Sequence, residues 1–184
     1  MKIGVYVGSF NPVHIGHIKI VNELINKKIL DRIIIIPTQN YWDKQNLIPL
    51  NHRVNMLRLI ENENIEINDK YSNFEYTYQI MNELKNKYLN DELYLIIGAD
   101  LLPEFHLWKN AIELLENKIL VINRDNINVN DYINNFKNKN NFTVVNDIEQ
   151  IDISSTRIRK NINNASGYLD NKIYKYIKDN KIYK

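Results

Sequence analysis

The sequence contains no cysteine at all. That absence excludes disulfide bonds and thiolate metal sites, and it fits a reducing compartment. Apolar runs are also short, because none approaches the ~20 residues that a helix needs to cross a bilayer. The start of the chain has no signal-peptide pattern either. We therefore expect a cytoplasmic protein that has no membrane partner.

The chain also lacks a strong charge of either sign. It has 24 Lys and Arg against 22 Asp and Glu, a formal net charge of +2. A nucleic-acid-binding protein would carry a denser basic patch, so we expect no nucleic-acid partner. With 184 residues, 44% hydrophobic and 25% charged, the composition is typical of a globular protein. We expect one domain over residues 1–184, with 170–184 as a C-terminal helix or tail, and leave open whether it forms a homo-oligomer.

Glycine and proline are scarce, at five and four residues, yet Gly8, Pro12 and Gly16 fall within nine positions. They belong to the stretch GSFNPVHIGH, residues 8–17, which also holds two of the four histidines, His14 and His17. An apolar run, KIGVYV, precedes this stretch and an amphipathic run, IKIVNELI, follows it. The pattern predicts a strand, a tight turn and a helix in succession.

Alternating apolar runs and helical patterns continue along the whole chain. Strands are predicted over 2–7, 31–38, 65–68, 92–100, 118–124 and 141–146. Helices are predicted over 14–28, 51–63, 77–89, 103–117, 130–139, 155–164 and 170–180. This alternation predicts an α/β fold, a Rossmann-like doubly wound parallel sheet with helices on both faces.

The GSFNPVHIGH stretch is a candidate anion site. Ligands of doubly wound sheets bind outside the carboxyl ends of the strands, where the strand order reverses. Gly8 would allow close approach to the backbone, and the next helix would present its free N–H groups. His14 and His17, three residues apart, share a helix face and could both donate to phosphate oxygens. Two alternatives stay open: a helix-start and a core histidine, or a metal site, although spacing indicates no third ligand.

A second polar stretch, ISSTRIRK, occupies residues 153–160. Hydroxyl groups of Ser154, Ser155 and Thr156 could cap a helix that begins there. Arg159 lies three residues beyond Thr156 and shares its face, so hydroxyls and a guanidinium would meet a polyphosphate together. The alternative is a capped helix with two surface arginines.

These two stretches carry a family resemblance. GSFNPVHIGH resembles the G-[ST]-F-x-P-x-H-x-G-H signature of the HxGH nucleotidyltransferases, and S-S-T-x-x-R resembles the second signature of the nicotinate/nicotinamide mononucleotide adenylyltransferases. The resemblance implies a Rossmann-like fold and transfer of AMP from ATP to a pyridine mononucleotide, giving deamido-NAD or NAD and pyrophosphate. Glu75 stands where the family has serine, which leaves the choice between nicotinate and nicotinamide open.

The resemblance also implies roles for residues of this chain. His14, His17 and Arg159 would be catalytic. The ATP site would comprise Gly8, Ser9, Phe10, His14, His17, Gly98, Asp100, Ser155, Thr156 and Arg159. The mononucleotide site would comprise Lys44, Tyr76, Thr77 and Trp108, with Lys44 replacing the lysine of a P-P-H-K segment that this sequence lacks. Mg²⁺ would be held by ATP and water and not by protein ligands.

Two other functions are compatible with the same residues. One is a different HxGH nucleotidyltransferase, of the phosphopantetheine adenylyltransferase or cytidylyltransferase type, although ISSTRIR and Trp108 argue against it. The other is a nucleotide-binding regulator that has kept the fold and lost turnover.

Overall fold

The computed structural model describes residues 1–39, 47–123, 127–149 and 151–183. Within these ranges, six strands form one parallel sheet in the order β3-β2-β1-β4-β5-β6. The strands are Lys2–Gly8 (β1), Arg32–Pro37 (β2), Ile65–Ile67 (β3), Glu92–Gly98 (β4), Lys118–Ile122 (β5) and Phe142–Val145 (β6). This is the strand order of a Rossmann-like, doubly wound sheet, so the predicted fold class is confirmed.

Helices connect the strands and cover both faces of the sheet. They are Ile15–Asn26 (α1), Leu50–Arg58 (α2), Thr77–Lys87 (α3), Ala111–Leu114 (α4), Val129–Ile133 (α5), Ser155–Lys160 (α6) and Asn171–Asp179 (α7). Short 3₁₀ helices occupy Ala99–Leu101, Phe105–Leu107, Lys139–Asn141, Ile162–Asn164 and Ser166–Tyr168. Among the described residues, no helix combines the length and apolarity that a membrane span requires.

The helix predicted over 103–117 is wrong as a continuous element. A 3₁₀ turn at Phe105–Leu107 is followed by extended backbone at Trp108, with φ −65° and ψ 143°, before α4 begins. Asn110 stands just before α4 with φ 53°, in the left-handed region that asparagine tolerates better than most residues. The apolar spacing of this segment is helical, but the left-handed residue divides it into two short pieces.

Two apolar layers lie on opposite faces of the sheet. Successive residues of β2 alternate between them, since Ile33 and Ile35 belong to one layer and Ile34 and Ile36 to the other. The first layer includes side chains of α1, α2, α6 and α7, and the second includes side chains of α3, α4 and α5. Such complete burial explains why the central strands read as unbroken apolar runs.

The carboxyl ends of the central strands meet at one rim of the sheet. Gly8 pairs with Pro37, and the Thr38 N–H donates to the Gly8 carbonyl at 2.9 Å. β4 lies on the other side of β1, so the connections leave β1 and β4 in opposite directions along the sheet. This reversal creates the crevice where doubly wound sheets bind ligands.

Candidate functional site

Residues 8–12, called here the rim loop, lead from β1 into the start of α1. His14 is the N-cap of α1, with φ −139° and ψ 170°, and His17 is its third helical residue. The His14 backbone N–H donates to Nδ1 of His17 at 3.3 Å. Because a backbone N–H can only donate, Nδ1 of His17 is the acceptor, and a neutral ring carries its proton on Nε2. The loop therefore fixes which nitrogen of His17 can donate to a ligand.

The two imidazoles lie against each other and against an aromatic side chain of the rim loop. Their ring centroids are 3.8 Å apart, and the Phe10 ring meets His17 edge-on at 5.1 Å. Phe10 has φ 46°, in the left-handed region, and a Cβ at Gly8 would lie 3.2 Å from its ring. Non-glycine residues in this region are concentrated at functional sites. His14 is buried, whereas His17 is partly exposed and faces the cleft described below.

Helix α6 is bonded directly to the rim loop. The Ser155 hydroxyl donates to the Pro12 carbonyl at 2.8 Å, and Nη1 of Arg159 donates to the Asn11 carbonyl at 2.7 Å. Nη2 of Arg159 lies 3.2 Å from the Thr156 hydroxyl, as their shared helix face predicts. The two polar stretches are therefore joined, although more than 140 residues separate them in sequence.

Two other residues of the ISSTRIRK stretch, Ser154 and Arg157, bond within α6 or just before it. Ser154 caps α6 through a 3.2 Å bond from the Arg157 N–H to its hydroxyl. The Arg157 guanidinium pairs with the exposed Asp152 carboxylate at 2.9 Å. That contact raises the pKa of Arg157 above its ordinary value.

Arg53 of α2 forms hydrogen bonds with the rim loop and with the neighbouring chain. It is only 1% exposed. Its Nη1 donates to the carbonyls of Ser9 and Thr38, each at 2.7 Å, and its Nε donates to the Ile48 carbonyl at 3.1 Å. Burial lowers the pKa of this guanidinium below its ordinary value. One buried cation therefore ties the ends of β1 and β2 to the chain segment that precedes α2.

A cleft of about 450 Å³, called here the phosphate cleft, opens above these contacts. Its walls include all ten residues predicted for an ATP site, namely Gly8, Ser9, Phe10, His14, His17, Gly98, Asp100, Ser155, Thr156 and Arg159. A neighbouring cleft of about 720 Å³ shares His14, His17 and Asp100 with it. The predicted set is therefore contiguous in space.

A third cavity, of about 380 Å³, is called here the aromatic pocket. It contains three residues of the predicted mononucleotide site, Tyr76, Thr77 and Trp108, and shares Gly8 and Ser9 with the phosphate cleft. The Trp108 ring lies 5.1 Å from the buried Phe105 ring, which supports it from the core side. The fourth predicted residue, Lys44, lies outside the described residues, as does Trp42 in the same segment.

Carboxylates also border the aromatic pocket. Glu75 and Glu104 both line it, and both are exposed. A hydrogen bond to the Glu75 carboxylate raises the pKa of the Tyr76 hydroxyl, so that hydroxyl is protonated near neutral pH. Glu75 therefore has a hydrogen-bond donor beside it at the mouth of the pocket.

The metal alternative for the two histidines lacks support in the described ranges. No group of three or more His, Asp or Glu side chains is placed there so that it could hold a metal ion. The phosphate cleft instead combines imidazole, guanidinium and hydroxyl groups with Asp100. This set suits an anion better than a hard cation, which prefers oxygen ligands.

Sequence reasoning missed two parts of the site. Asn11 bonds to Arg159 through its carbonyl, and its side-chain oxygen accepts from the Ile48 N–H at 3.4 Å and the Tyr183 hydroxyl at 2.6 Å. Arg53 bonds to three backbone carbonyls, none of which the sequence indicates. No local pattern marks either role, because all the partners except the Ile48 carbonyl of Arg53 lie 15 or more residues away in sequence.

A parallel sheet of this order, with a polar cleft at its switch point, is the architecture of the nucleotide-binding α/β proteins. Residues 5–161 match the cytidylyltransferase-like family. The chain is 35% identical to a protein of Acholeplasma laidlawii named as a probable nicotinate-nucleotide adenylyltransferase, with 97% of this chain and 96% of the relative covered. A protein of the same name from Borreliella burgdorferi is also 35% identical, over 100% of this chain and 97% of its own length.

Solved structures agree on the fold. The nicotinic acid mononucleotide adenylyltransferase of Plasmodium falciparum, complexed with NaAD, superposes with a TM-score of 0.84 over 99% of this chain and 97% of its own, at 23% identity. The chain belongs to the cytidylyltransferase-like family and, within it, to the nicotinate-nucleotide adenylyltransferases.

Proposed function

We propose that the chain transfers the adenylyl group of ATP to nicotinate mononucleotide, forming deamido-NAD and pyrophosphate for NAD biosynthesis. The observation that carries this proposal is the joining of both phosphate-type motifs in one cleft, which opens into an aromatic pocket. The names of full-length relatives at 35% identity supply the acceptor.

The reaction needs positioning more than proton transfer. An oxygen of the acceptor phosphate attacks the α-phosphorus of ATP, and the bond from that phosphorus to the bridging oxygen of the β-phosphate breaks. The electron pair of the broken bond leaves with pyrophosphate. The attacking phosphate is already an anion near neutral pH, so no general base is required. The main cost is the approach of two like charges, which preorganised donors can offset.

The phosphate cleft offers such donors at defined positions. His17 would direct Nε2–H to the α-phosphoryl group, because its Nδ1 is held by the His14 N–H. The N–H groups of Gly8 and Ser9, together with His14, would bind further phosphate oxygens. Arg159 keeps three of its five N–H donors after its bonds to Asn11 and Thr156, enough to contact the leaving pyrophosphate.

The remaining residues would hold the two substrates outside the reacting phosphates. Gly98, Asp100, Ser155 and Thr156 would contact the adenosine ribose and phosphates of ATP. Trp108 would stack on the pyridine ring of the acceptor, with Tyr76 and Thr77 beside it. Because Gly8 and Ser9 border both cavities, an acceptor in the aromatic pocket would place its phosphate next to that of ATP.

Divalent metal would enter with the nucleotide. Asp100 is the one carboxylate among the described residues that line the phosphate cleft, and Mg²⁺ at nucleotide sites is normally bound by one or two carboxylates together with substrate phosphates and water. We expect Mg²⁺ to be coordinated mainly by phosphate oxygens and water, where it would neutralise charge on the nucleotide.

The first prediction concerns turnover and acceptor choice. Pyrophosphate release should require both ATP and a mononucleotide, and kcat/KM should be higher for nicotinate mononucleotide than for nicotinamide mononucleotide. A coupled pyrophosphate assay with each acceptor, and without acceptor as the control for ATP hydrolysis, measures this directly. Absence of release with both acceptors would reject the proposed activity, and faster release with nicotinamide mononucleotide would reject the acceptor.

The second prediction concerns Gly16, which lies between the two histidines on α1. A Cβ at this position would lie 3.0 Å from both Cε1 and Nδ1 of His14 and 3.4 Å from Cγ2 of Ile153. Gly16→Ala should therefore displace the His14 ring and lower kcat/KM on the order of tenfold, since small misplacements in a catalytic site are costly. Stability should change little, because the helix propensity that alanine gains over glycine, about 1 kcal/mol, opposes the cost of displacing the His14 ring.

The matched control for Gly16→Ala is Asn22→Ala, which adds an alanine to an exposed position of the same helix. Asn22→Ala should keep kcat/KM within about twofold, because it lies outside the phosphate cleft. Thermal unfolding and steady-state kinetics of both variants separate helix stabilisation from ring displacement. Full activity of Gly16→Ala would show that the packing of His14 against Gly16 is unimportant for catalysis.

A further inference from the structure

The C-terminal segment, residues 171–183, comprises α7 and a short turn that leads back toward the rim loop. The Lys181 N–H donates to the Lys178 carbonyl and the Ile182 N–H to the Ile177 carbonyl, each at 3.2 Å. Lys181 has φ 53°, so these bonds form a Schellman motif, which ends a helix and reverses the chain. Ile182 and Tyr183 then pack against the apolar layer that contains Phe10.

Tyr183 makes a specific polar contact in that position. Its hydroxyl donates to the side-chain oxygen of Asn11 at 2.6 Å, across 172 residues of sequence. Asn11 is 2% exposed, so water has little access to this bond. Burial raises the pKa of the Tyr183 phenol, while the positive charges of Arg159 and Arg53 oppose that rise. The phenol is protonated near neutral pH and acts as the donor.

Asn11 links Tyr183 to residues that line the phosphate cleft. Its backbone carbonyl accepts the 2.7 Å bond from Nη1 of Arg159, and it directly follows Phe10, whose left-handed φ of 46° shapes the rim loop. A rotation of the Asn11 peptide would therefore move both the Arg159 guanidinium and the Phe10 ring that touches His17.

We propose that Tyr183 is a positioning residue, which acts through Asn11 to hold the rim loop and Arg159 in the geometry that binds the triphosphate of ATP. The proposal rests on the proposed function, since that function places ATP in the phosphate cleft. Tyr183 does not itself line the cleft, so its effect is exerted through the loop.

A simple anchoring role for the C-terminal segment can be tested separately, because a different tyrosine of this segment, Tyr176 of α7, also forms hydrogen bonds through its hydroxyl. The Tyr176 hydroxyl lies 2.9 Å from Nδ1 of His52 and 3.0 Å from Nδ2 of Asn55, both on α2. It fixes α7 to α2 through side chains outside the rim loop. Tyr176→Phe is therefore the matched control for Tyr183→Phe, since each variant removes one hydrogen-bonded phenol oxygen from the same segment.

The experiment compares wild type, Tyr183→Phe and Tyr176→Phe in three measurements. Amide hydrogen exchange reports on Ser9, Phe10 and Asn11 without any ligand, titration calorimetry gives the ATP dissociation constant, and the pyrophosphate assay gives kcat and KM. Tyr183→Phe should speed exchange in the rim loop and raise the ATP dissociation constant on the order of tenfold, because it removes the 2.6 Å bond to the buried Asn11 oxygen and leaves there the longer 3.4 Å bond from the Ile48 N–H. Tyr176→Phe should change neither quantity more than about twofold, even if it lowers the melting temperature.

Two results would overturn the positioning role: wild-type ATP binding and loop exchange in Tyr183→Phe, or equal losses in both variants, which would indicate anchoring alone. Failure of the proposed function gives a different result, namely wild-type protein that releases no pyrophosphate with either mononucleotide. In that event, amide hydrogen exchange measured without ligand still shows whether Tyr183 stabilises the conformation of the rim loop.

Discussion

Replacing His17 with alanine should lower kcat by about 10²–10³-fold, the loss measured when one preorganised donor to a developing anion is removed from other enzymes. The physical reason is the fixed orientation of the ring. The His14 N–H donates to Nδ1, and the His14 and Phe10 rings both pack against the His17 ring, so Nε2–H is the donor that we propose for the triphosphate. Alanine removes that donor.

The loss should appear in chemistry more than in folding. The His17 ring contributes an aromatic contact of roughly 0.5–1.5 kcal/mol, which for a chain of this size corresponds to only a few degrees of melting temperature. Single-turnover measurements at saturating ATP isolate the adenylyl-transfer step from substrate binding. A His17→Ala protein with near-normal kcat would remove the residue from the mechanism.

His52→Ala is the histidine control for this experiment. Its ring contacts Tyr176 between α2 and α7 at 2.9 Å and does not line the phosphate cleft. We expect kcat within about twofold of wild type, with some loss of stability from the weakened contact between the two helices. Equal kinetic losses in His17→Ala and His52→Ala would indicate a general loss of folded protein.

The fold could be predicted from the sequence because its signals are local. Four-to-six-residue apolar runs, such as the four isoleucines of 33–36, are typical of strands buried on both faces, and helical patterns between them indicate crossovers. The prediction was wrong at 103–117, where apolar spacing continued through Asn110 although its backbone is left-handed. Spacing reports which side chains are buried, and it does not report the backbone conformation between them.

The candidate site divides in the same way. The position of the rim loop follows from its neighbours in sequence. The apolar run before Gly8 predicts a strand that ends close to Gly8, and the amphipathic run that follows predicts a helix that begins near His14. The contacts that hold the loop do not follow from sequence, because Asn11 is bonded to Arg159, Ile48 and Tyr183, which the chain brings together only when it folds. Local patterns locate the ligand-facing groups, and distant residues fix their geometry.

Among the residues that contact the rim loop from other parts of the chain, Arg53 is the one whose replacement should lower the free energy of unfolding most. Its guanidinium is buried, and three backbone carbonyls, those of Ser9, Thr38 and Ile48, accept its bonds. Arg53→Met keeps the length of the side chain and removes all of these donors. We expect a loss of about 3–5 kcal/mol in the free energy of unfolding, because buried acceptors would be left without partners. For a chain of this size the melting temperature should fall by about 10 °C.

Urea unfolding of Arg53→Met and Arg58→Met provides the comparison. Arg58 lies on the same helix, but its side chain is half exposed and only pairs with Asp69 at 3.4 Å. Its loss should therefore cost less than about 1 kcal/mol. The Arg53 variant should also bind ATP more weakly, because the Ser9 carbonyl that it releases belongs to the rim loop. If both variants unfold at the same urea concentration as wild type, the buried guanidinium does not stabilise the rim, and the loop geometry depends on its other contacts, those to α6, Ile48 and Tyr183.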